Sequence, residues 1–258
     1  MPIKSEALLI GINYVDTPDA HLNGCVNDVT KISEFLNTKL GFKKESIKLY
    51  HDEDPLLKKN TTALGILTVL RDLVVRSWKE QLDMVWIHYS GHGCGIRDTT
   101  GDEIDGQDEC LIPSDFRKFG VITDDYLKSI FQNFNPKTKV ICVFDCCHSG
   151  SILDLKYRYV NSNSVEEEFQ GKECPAKILM LSGCSDAQTS ADAFNVMNNN
   201  QFSGALTACL IMSYEQACNL DIFVLLRKVH DMLKARGFTQ FPQLCSTYDL
   251  RNDKKLLL

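Results

Sequence analysis

The sequence predicts an α/β fold built on a mainly parallel β-sheet. Short apolar segments rich in β-branched residues alternate with amphipathic segments of helical spacing, which is typical of parallel strands joined by crossover helices. Several apolar segments also end abruptly in polar residues and glycine, as buried parallel strands do at their carboxyl ends. With 258 residues and 44% hydrophobic content, the chain is large enough for one substantial domain.

The first part of the chain contains three predicted strands and two predicted helices. The strands are taken from three apolar segments: Ala7–Tyr14, Ile47–Tyr50 and Met84–Gly93. The first helix is predicted from apolar residues at helical spacing that end before Gly41: Val26, Val29, Ile32, Leu36 and Leu40. The second helix, which Thr61 or Thr62 can cap, is predicted from Leu64, Leu67, Leu70, Val74 and Trp78.

The rest of the chain contains two irregular segments among further strands and helices. Residues 94–120 are acidic, rich in glycine and without a helical pattern, which predicts a hairpin or loop excursion. Residues 150–175 are polar and irregular, and a loop of that length is usually functional or mobile. The remaining predictions are strands from Lys139, over Lys177–Leu181 and over Gln243–Tyr248, and helices over 123–131, Ser203–Met212 and Asp221–Leu233.

The net charge and the cysteine content of the chain limit the partners and the compartment that we expect for it. A net charge of −6 argues against nucleic acid as a partner and leaves a basic substrate or a cation open. The eleven cysteines include no C-x-x-C pair, so we expect most of them to be buried hydrophobic side chains in a reducing compartment. The N-terminal apolar run is too short for a signal peptide, and no run approaches the roughly 20 apolar residues of a membrane span. We therefore expect a cytoplasmic protein with no membrane partner.

Two predicted strand ends carry the residue types of a cysteine nucleophile and its base. Lys139–Gly150 reads KVICVFDCCHSG, and Met84–Gly93 reads MVWIHYSGHG. Functional groups gather at the carboxyl ends of the strands in open α/β sheets, so we expect Cys147 and His92 to meet there. A nearby base that takes the thiol proton makes a cysteine nucleophilic. The glycines around His92 would admit a substrate backbone and leave the Gly93 amide as an oxyanion donor, together with the amide of Cys147.

Two neighbouring side chains compete for these roles. Successive side chains alternate along an extended segment, so only one of Cys146 and Cys147 can face the cleft, and the strand pattern alone does not choose between them. His148 is adjacent to Cys147, and because adjacent side chains point apart we discount it as the base.

The segments HYSGHG and DCCHSG resemble those of the metacaspases, cysteine proteases with the caspase fold. Five further matches extend the resemblance over nearly the whole chain: NGCVNDV at Asn23–Val29, DECLIPSD at Asp108–Asp115, ITDD at Ile122–Asp125, SGCSDAQTSADA at Ser182–Ala193 and GALT at Gly204–Thr207. The resemblance implies a caspase-like, mainly parallel sheet flanked by helices on both faces, and it links the protein to programmed cell death.

The same resemblance implies a domain organisation. We expect a single peptidase domain over residues 1–258, in which residues 1–150 are similar to a large subunit, residues 151–176 to a mobile linker loop and residues 177–258 to a small subunit. The order of the motifs is similar to that of type I metacaspases. The Pro/Gln-rich extension often found there is not part of this sequence, so we expect a catalytic domain without an N-terminal prodomain.

The resemblance also implies the catalytic residues and the specificity. The family's nucleophile is the cysteine directly before His-Ser-Gly, here Cys147, and its partner is His92. The Q-A-C-x-G sequence of caspases proper is missing, which argues against cleavage after aspartate.

Cleavage after Arg or Lys is what the resemblance implies instead. A buried substrate cation needs paired anions, and the matching pocket acids are Asp28 and Asp145, with Ser90 and Cys25 beside them. Ser182–Asp186 and Asp192 are expected at the pocket rim.

The acidic segment before the second motif suggests a cation site. An EF-hand centred on Gly106 would place Gly101 at position one and Ile112 at position twelve, so the segment is not an EF-hand. The resemblance implies Ca²⁺ bound by aspartates from several loops, here Asp108, Asp124, Asp125 and Asp154. Four hard oxygen donors suit Ca²⁺ better than Mg²⁺ or zinc, although acids at 124 and 125 also suit the first turn of a helix.

We therefore predict a monomeric, calcium-stimulated cysteine endopeptidase that acts on polypeptides after Arg or Lys. It is expected to cut itself near the linker, where Lys156, Arg158, Lys172 and Lys177 offer basic residues. The alternative is a non-proteolytic scaffold or regulatory binding protein on the same fold. Such a protein would have no need of all four functional residues together: His92, Cys147, Asp28 and Asp145.

Overall fold

The computed structural model describes residues 3–98, 101, 106–161, 164–167, 174–183, 192–194, 202–216 and 221–256. Up to the candidate cysteine segment, the elements in chain order are β1 (Ser5–Gly11), α1 (Cys25–Thr38), β2 (Ile47–His51), α2 (Ala63–Lys79), β3 (Met84–Ser90), β4 (Gly93–Arg97), β5 (Gln107–Leu111), α3 (Phe116–Phe119), β6 (Ile122–Thr123), α4 (Asp124–Phe131) and β7 (Lys139–Asp145). After it come β8 (Tyr157–Asn161), β9 (Ser164–Glu167), β10 (Lys177–Ser182), β11 (Asp192–Phe194), β12 (Phe202–Gly204), α5 (Ala205–Glu215), α6 (Ile222–Ala235) and β13 (Gln243–Ser246).

The largest sheet has eight strands in the order β2-β1-β3-β7-β10-β13-β8-β9. The first five of these strands are parallel to one another, and β13, β8 and β9 are joined by antiparallel pairings. The central strands β3 and β7 are buried at every position, as expected for strands covered on both faces. The predicted mainly parallel, caspase-like α/β sheet is confirmed.

Helices cover both faces of this sheet because alternate strand residues point to opposite sides. On one face, α1, α5 and α6 pack with Leu9, Trp86, Ile141 and Leu179 into one core. On the other face, α2 and α4 pack with Leu8, Val85, Val140 and Ile178 into a second core. Among the described helices, none combines the length and the apolar content needed to cross a membrane.

The acidic excursion after β3 is a hairpin, as predicted. Strands β4 and β5 are antiparallel, and β5 pairs in turn with β6 in a three-stranded sheet of their own. Thr123 caps α4, since its side chain accepts a hydrogen bond from the Tyr126 amide at 3.4 Å. The hairpin therefore returns the chain to the start of α4 next to the ends of the central strands.

Two expectations about local structure were wrong. The polar segment 150–175 is not irregular throughout, because β8 and β9 form an antiparallel pair at the sheet edge, across which Arg158 and Glu166 form an ion pair. The buried face of α2 is also only partly the predicted one: Leu67, Leu70 and Val74 pack in the core as predicted, but Leu64 is 73% exposed and Trp78 is 50% exposed. Ile66 and Leu73 are buried in their place. Apolar residues lie on both sides of this helix, so the sequence contains two overlapping apolar stripes.

Candidate active site

Three neighbouring strands bring the candidate residues together. Strands β1, β3 and β7 are adjacent and parallel, with Gly11 in register with Ser90 and Ser90 in register with Asp145. The segments that follow β3 and β7 are in contact, because a Cβ atom at Gly93 would clash with the carbonyl oxygen of Cys147. Only glycine permits this close approach. The structure thus places the segments of His92 and Cys147 against each other at one edge of the sheet.

The imidazole of His92 is held by a backbone carbonyl. Its Nε2 atom lies 2.8 Å from the carbonyl oxygen of Ala20, and a carbonyl can only accept a hydrogen bond. Nε2 therefore carries the proton, and Nδ1 is left as the basic nitrogen of the ring. His92 is half-buried.

Two tyrosines that the sequence analysis did not identify fix the backbone of His92. The hydroxyl of Tyr14 accepts a hydrogen bond from the His92 amide at 2.8 Å and donates to the Ile112 carbonyl at 2.7 Å. The Tyr89 hydroxyl donates to the His92 carbonyl at 2.9 Å. The rings of Tyr14 and His92 are 4.7 Å apart. Burial raises the pKa of Tyr14 and of Tyr89 well above the usual value, so both hydroxyls keep their protons and can donate.

The two adjacent cysteines occupy different environments. Cys146 is 1% exposed and packs in the core beneath α2 and α4, whereas Cys147 is half-buried. His148 follows with a φ of 47°, in the left-handed region that residues other than glycine rarely adopt. The Ser149 hydroxyl donates to the Cys146 carbonyl at 2.9 Å and closes this turn. The turn presents Cys147 rather than Cys146 to the cleft.

The two predicted pocket acids lie on either side of Gly204. Asp28 in α1 and Asp145 at the end of β7 are both buried, and a Cβ atom at Gly204 would clash with Asp145 and come within 2.8 Å of Asp28 Oδ2. Asp28 Oδ2 accepts hydrogen bonds from the Ser90 hydroxyl at 2.7 Å and from the Gly204 amide at 2.9 Å. The amide and the hydroxyl of Thr207 both donate to Asp145 Oδ2, each at 2.8 Å. The structure brings Asp28, Asp145 and Ser90 together.

Burial and the mutual repulsion of the two carboxylates favour the protonated form of Asp28. Burial, as the largest cause, and the negative charge of Asp145 together raise the pKa of Asp28 to about 8, while the hydrogen bonds from Ser90 and Gly204 act in the opposite direction. Asp28 is therefore mostly protonated at neutral pH. The ammonium of Lys31, one turn along α1, donates to the Ser203 hydroxyl at 2.5 Å, and its positive charge lowers the pKa of Asp28.

The other predicted pocket residues are less well placed. The side chain of Cys25 is buried at the start of α1, and its amide donates to Asn13 Oδ1 at 3.0 Å. Its thiol interacts electrostatically with the hydroxyls of Tyr14 and Tyr89. Ser182 is buried at the end of β10, and its hydroxyl is an orphaned polar group within the described residues. Residues 184–186 and the side chain of Asp192, also expected at the rim, lie outside the described part of the structure.

Three of the predicted calcium ligands come from separate segments that meet. Asp108 in β5 and Asp124 at the start of α4 are buried, and Asp154 follows the turn at residues 147–149 with a φ of 47°. Burial, as the largest cause, and the negative charges of Asp154 and Asp108 together raise the pKa of Asp124 to about 7. Hydrogen bonds from the amides of Asp125 and Glu109 act in the opposite direction. Asp125 is half-buried beside them.

A buried glutamate and a lysine complete this acidic cluster. Glu109, which the sequence analysis did not single out, accepts a hydrogen bond from the Ser151 hydroxyl at 2.6 Å. Lys128 pairs with Asp154 across 3.2 Å. The hard carboxylate oxygens fit a divalent cation such as Ca²⁺, but no group of three His, Cys, Asp or Glu side chains in the described ranges could hold an ion as it stands.

An α/β sheet with a half-buried thiol and an imidazole at neighbouring strand ends is the arrangement of a cysteine peptidase. Comparison with known proteins gives the family: the model of the metacaspase peptidase C14 domain matches residues 5–156. The chain belongs to the metacaspases, a family of cysteine peptidases.

Curated relatives and a solved structure agree with this assignment. The chain is 36% identical to metacaspase-3 of Trypanosoma cruzi, over 98% of this chain and 74% of that protein. It is 35% identical to metacaspase-2 of Trypanosoma brucei brucei, over 98% of this chain and 76% of the relative. It is 32% identical to metacaspase-1A of Neurospora crassa, over 97% of this chain and 64% of the relative. A crystal structure of a Geobacter sulfurreducens protein has a TM-score of 0.63 and 23% identity, covering 94% of this chain and 93% of that one, and shares the fold.

Proposed function

We propose that this metacaspase is a calcium-stimulated endopeptidase that cleaves polypeptides after Arg or Lys with a Cys147–His92 dyad. The observation that carries the proposal is the contact between Gly93 and the Cys147 carbonyl. It sets the histidine and cysteine segments together while Cys146 stays buried.

In this mechanism Cys147 attacks the scissile carbonyl carbon. Nδ1 of His92 takes the thiol proton and later gives it to the leaving amine, while the Ala20 carbonyl keeps the Nε2–H oriented. The amides of Gly93 and Cys147 stabilise the oxyanion. Water then hydrolyses the acyl-enzyme, with the same histidine as base.

Specificity for Arg or Lys follows from the buried acid pair. A guanidinium or ammonium that reaches Asp28 and Asp145 would displace the proton that Asp28 holds and would pair with both carboxylates. A neutral or acidic substrate side chain would bring no positive charge to pair with these buried carboxylates. Ser90 and Gly204 already orient Asp28, so the pocket is organised before the substrate binds.

Calcium is proposed to bind at the acidic cluster through Asp108, Asp124, Asp125 and Asp154. When bound, the cation supplies positive charge that relieves the repulsion among these carboxylates, and it takes no part in the chemistry. Asp154 lies close after the Cys147 turn in the sequence. Ordering of the Asp154 segment by the cation would therefore also help to fix the position of Cys147.

Self-processing is proposed near the linker. Arg158 lies within β8 and is paired with Glu166, so cleavage after it would require the sheet edge to open. Lys156 precedes β8, Lys177 is the first residue of β10, and Lys172 lies outside the described residues. Of the described candidates, the bond after Lys156 needs the least unfolding. The monomeric state and the cytoplasmic location remain predictions, as does the division at residues 150 and 176.

The deciding experiment is turnover of a fluorogenic peptide that ends in Arg, with and without Ca²⁺, compared with the same peptide ending in Asp. The proposal predicts that Ca²⁺ stimulates release of the fluorophore from the Arg peptide and that no fluorophore is released from the Asp peptide. A non-proteolytic scaffold would release neither.

A further inference from the structure

The hairpin that begins after His92 carries two cysteines directly opposite each other. Cys94 in β4 is in register with Cys110 in β5. Both are free thiols; Cys94 is half-buried and Cys110 is buried. Because residues in register on an antiparallel pair point to the same face, the two thiols lie side by side.

The ladder places this pair at a spacing that suits a disulfide. The His92 carbonyl accepts from the Ile112 amide at 3.2 Å, and the Asp98 amide donates to the Gly106 carbonyl at 3.0 Å. Hydrogen-bonded pairs alternate along an antiparallel ladder, so the Cys94–Cys110 pair is also a hydrogen-bonded one. Opposite Cα atoms in such a pair are about 5.5 Å apart, and disulfides span about 4.4–6.8 Å.

The thiols also interact before any oxidation. A hydrogen bond from the Cys110 thiol lowers the pKa of Cys94 to about 7, although burial acts in the opposite direction. Cys94 is therefore the more nucleophilic of the two and the one that an oxidant can reach.

We propose that Cys94 and Cys110 are a redox modification site. A small disulfide oxidant of the glutathione type joins the two thiols to each other in a reversible disulfide. The Cys94 thiolate attacks glutathione disulfide, breaks its S–S bond and releases one glutathione thiolate. The Cys110 thiolate then attacks the mixed disulfide and releases the second. The two thiol protons end on the two glutathione molecules, which together gain two electrons.

The Cys94–Cys110 disulfide would also affect the candidate catalytic residues. Gly93 precedes Cys94 and is wedged among the Cys147 carbonyl, the Cys146 sulfur and the Cys110 carbonyl. A covalent link between Cys94 and Cys110 fixes the two strands directly beside Gly93, where the packing leaves no room for Gly93 to adjust. This consequence for activity rests on the proposed peptidase function, whereas formation of the bond does not.

The bond itself is tested in the Cys147→Ala protein, which removes the candidate nucleophile. After treatment with glutathione disulfide, trypsin would separate residues 80–97, which contain Cys94 as their only cysteine, from residues 98–117, which contain only Cys110. We expect the two peptides to be joined, with a mass two hydrogens below their sum. The thermal midpoint should rise by about 5 °C or more, and dithiothreitol should reverse both changes. Separate peptides, or the same rise in Cys147→Ala/Cys94→Ser, would overturn the proposal.

The effect on activity is tested in the chain with Cys147 intact. Glutathione disulfide should lower kcat/KM by about 10-fold or more through the hairpin, reversibly, and by clearly less in Cys94→Ser. Loss that is common to both proteins reports oxidation of Cys147 itself. Equal losses would overturn the link to the active site, and absence of turnover in both untreated proteins would count against the peptidase function instead.

Discussion

The carbonyl oxygen of Ala20 lies 2.8 Å from Nε2 of His92, although the two residues are 72 positions apart in the sequence. The loop between β1 and α1 thus supplies the group that orients the imidazole. Tyr14 in the same loop holds the His92 backbone. The candidate catalytic histidine is therefore positioned by a segment that contributes no side chain to the proposed chemistry.

Replacement of Tyr14 by Phe tests this positioning role. The variant removes the hydroxyl that accepts from the His92 amide but keeps the ring beside the imidazole. We expect kcat to fall by about 10-fold with little change in KM, because one buried amide loses its partner and the imidazole shifts. The measurement is steady-state kinetics on an Arg peptide.

Tyr159→Phe is the matched control. Tyr159 is also buried, and its hydroxyl accepts from the Leu250 amide at 2.7 Å far along the sheet. If both variants lose activity to the same extent, Tyr14 has only a structural role.

Replacement of the acids beside Gly204 tests the specificity pocket. Asp28→Asn and Asp145→Asn should each lower kcat/KM for Arg and Lys peptides by at least about 100-fold, since removing one partner of a buried charge pair costs about 3–5 kcal/mol. Asp231→Asn, whose side chain is 71% exposed, is the control. Turnover by either pocket variant at the control rate would place the recognition site elsewhere.

The pH dependence of stability tests the proton on Asp28. Its pKa is about 8 in the folded protein and about 3.8 when unperturbed, so the folded state binds more protons between these values. Stability from this group is therefore lost as pH rises from about 4 to about 8. We expect the thermal midpoint of Asp28→Asn to fall less over this window than that of Asp231→Asn. Parallel curves would mean that Asp28 is ionised throughout.

The calcium proposal is tested by a double variant at the start of α4. The Asp124 carboxylate accepts from the Glu109 amide through Oδ2 and from the Asp125 amide through Oδ1, so Asp124→Asn/Asp125→Asn keeps one of these two acceptors and removes both carboxylates. In the unmodified chain, Ca²⁺ should raise the thermal midpoint and the rate together, relative to chelator; in the double variant it should raise neither.

The control for this experiment is Asp72→Asn/Asp231→Asn, which removes two exposed charges. Undiminished activation of the Asp124→Asn/Asp125→Asn protein would move the site away from α4. The nearest alternative is the acidic segment that contains Asp98 and the residues 102–105 outside the described ranges.

The central sheet could be predicted because its strands are apolar at nearly every position. β7 is buried along its whole length, so its sequence alone marks it as a covered parallel strand. The pair β8 and β9 could not be predicted in this way. Its outward side chains, such as Arg158 and Glu166, give the segment the composition of a loop, and the pair depends on β13 for its place in the sheet.

The site was predictable where strand ends determine it and not where distant contacts do. The carboxyl ends of adjacent parallel strands meet, which brings the segments of His92 and Cys147 together without further information. Tyr14 and His92 are 78 residues apart, and Tyr14 has a φ of 55° that no local pattern encodes. The choice between Cys146 and Cys147 likewise depends on the left-handed turn at His148.

The most direct test of the account compares Cys147→Ala with Cys146→Ala in hydrolysis of the Arg peptide at saturating Ca²⁺. Loss of the nucleophile should lower kcat by at least about 10³-fold, whereas Cys146→Ala removes only a small buried side chain and should leave much of the activity. Circular dichroism and thermal midpoints would show that both variants are folded. Activity of folded Cys147→Ala within 10-fold of the unmodified protein would contradict the assignment of Cys147 as the nucleophile.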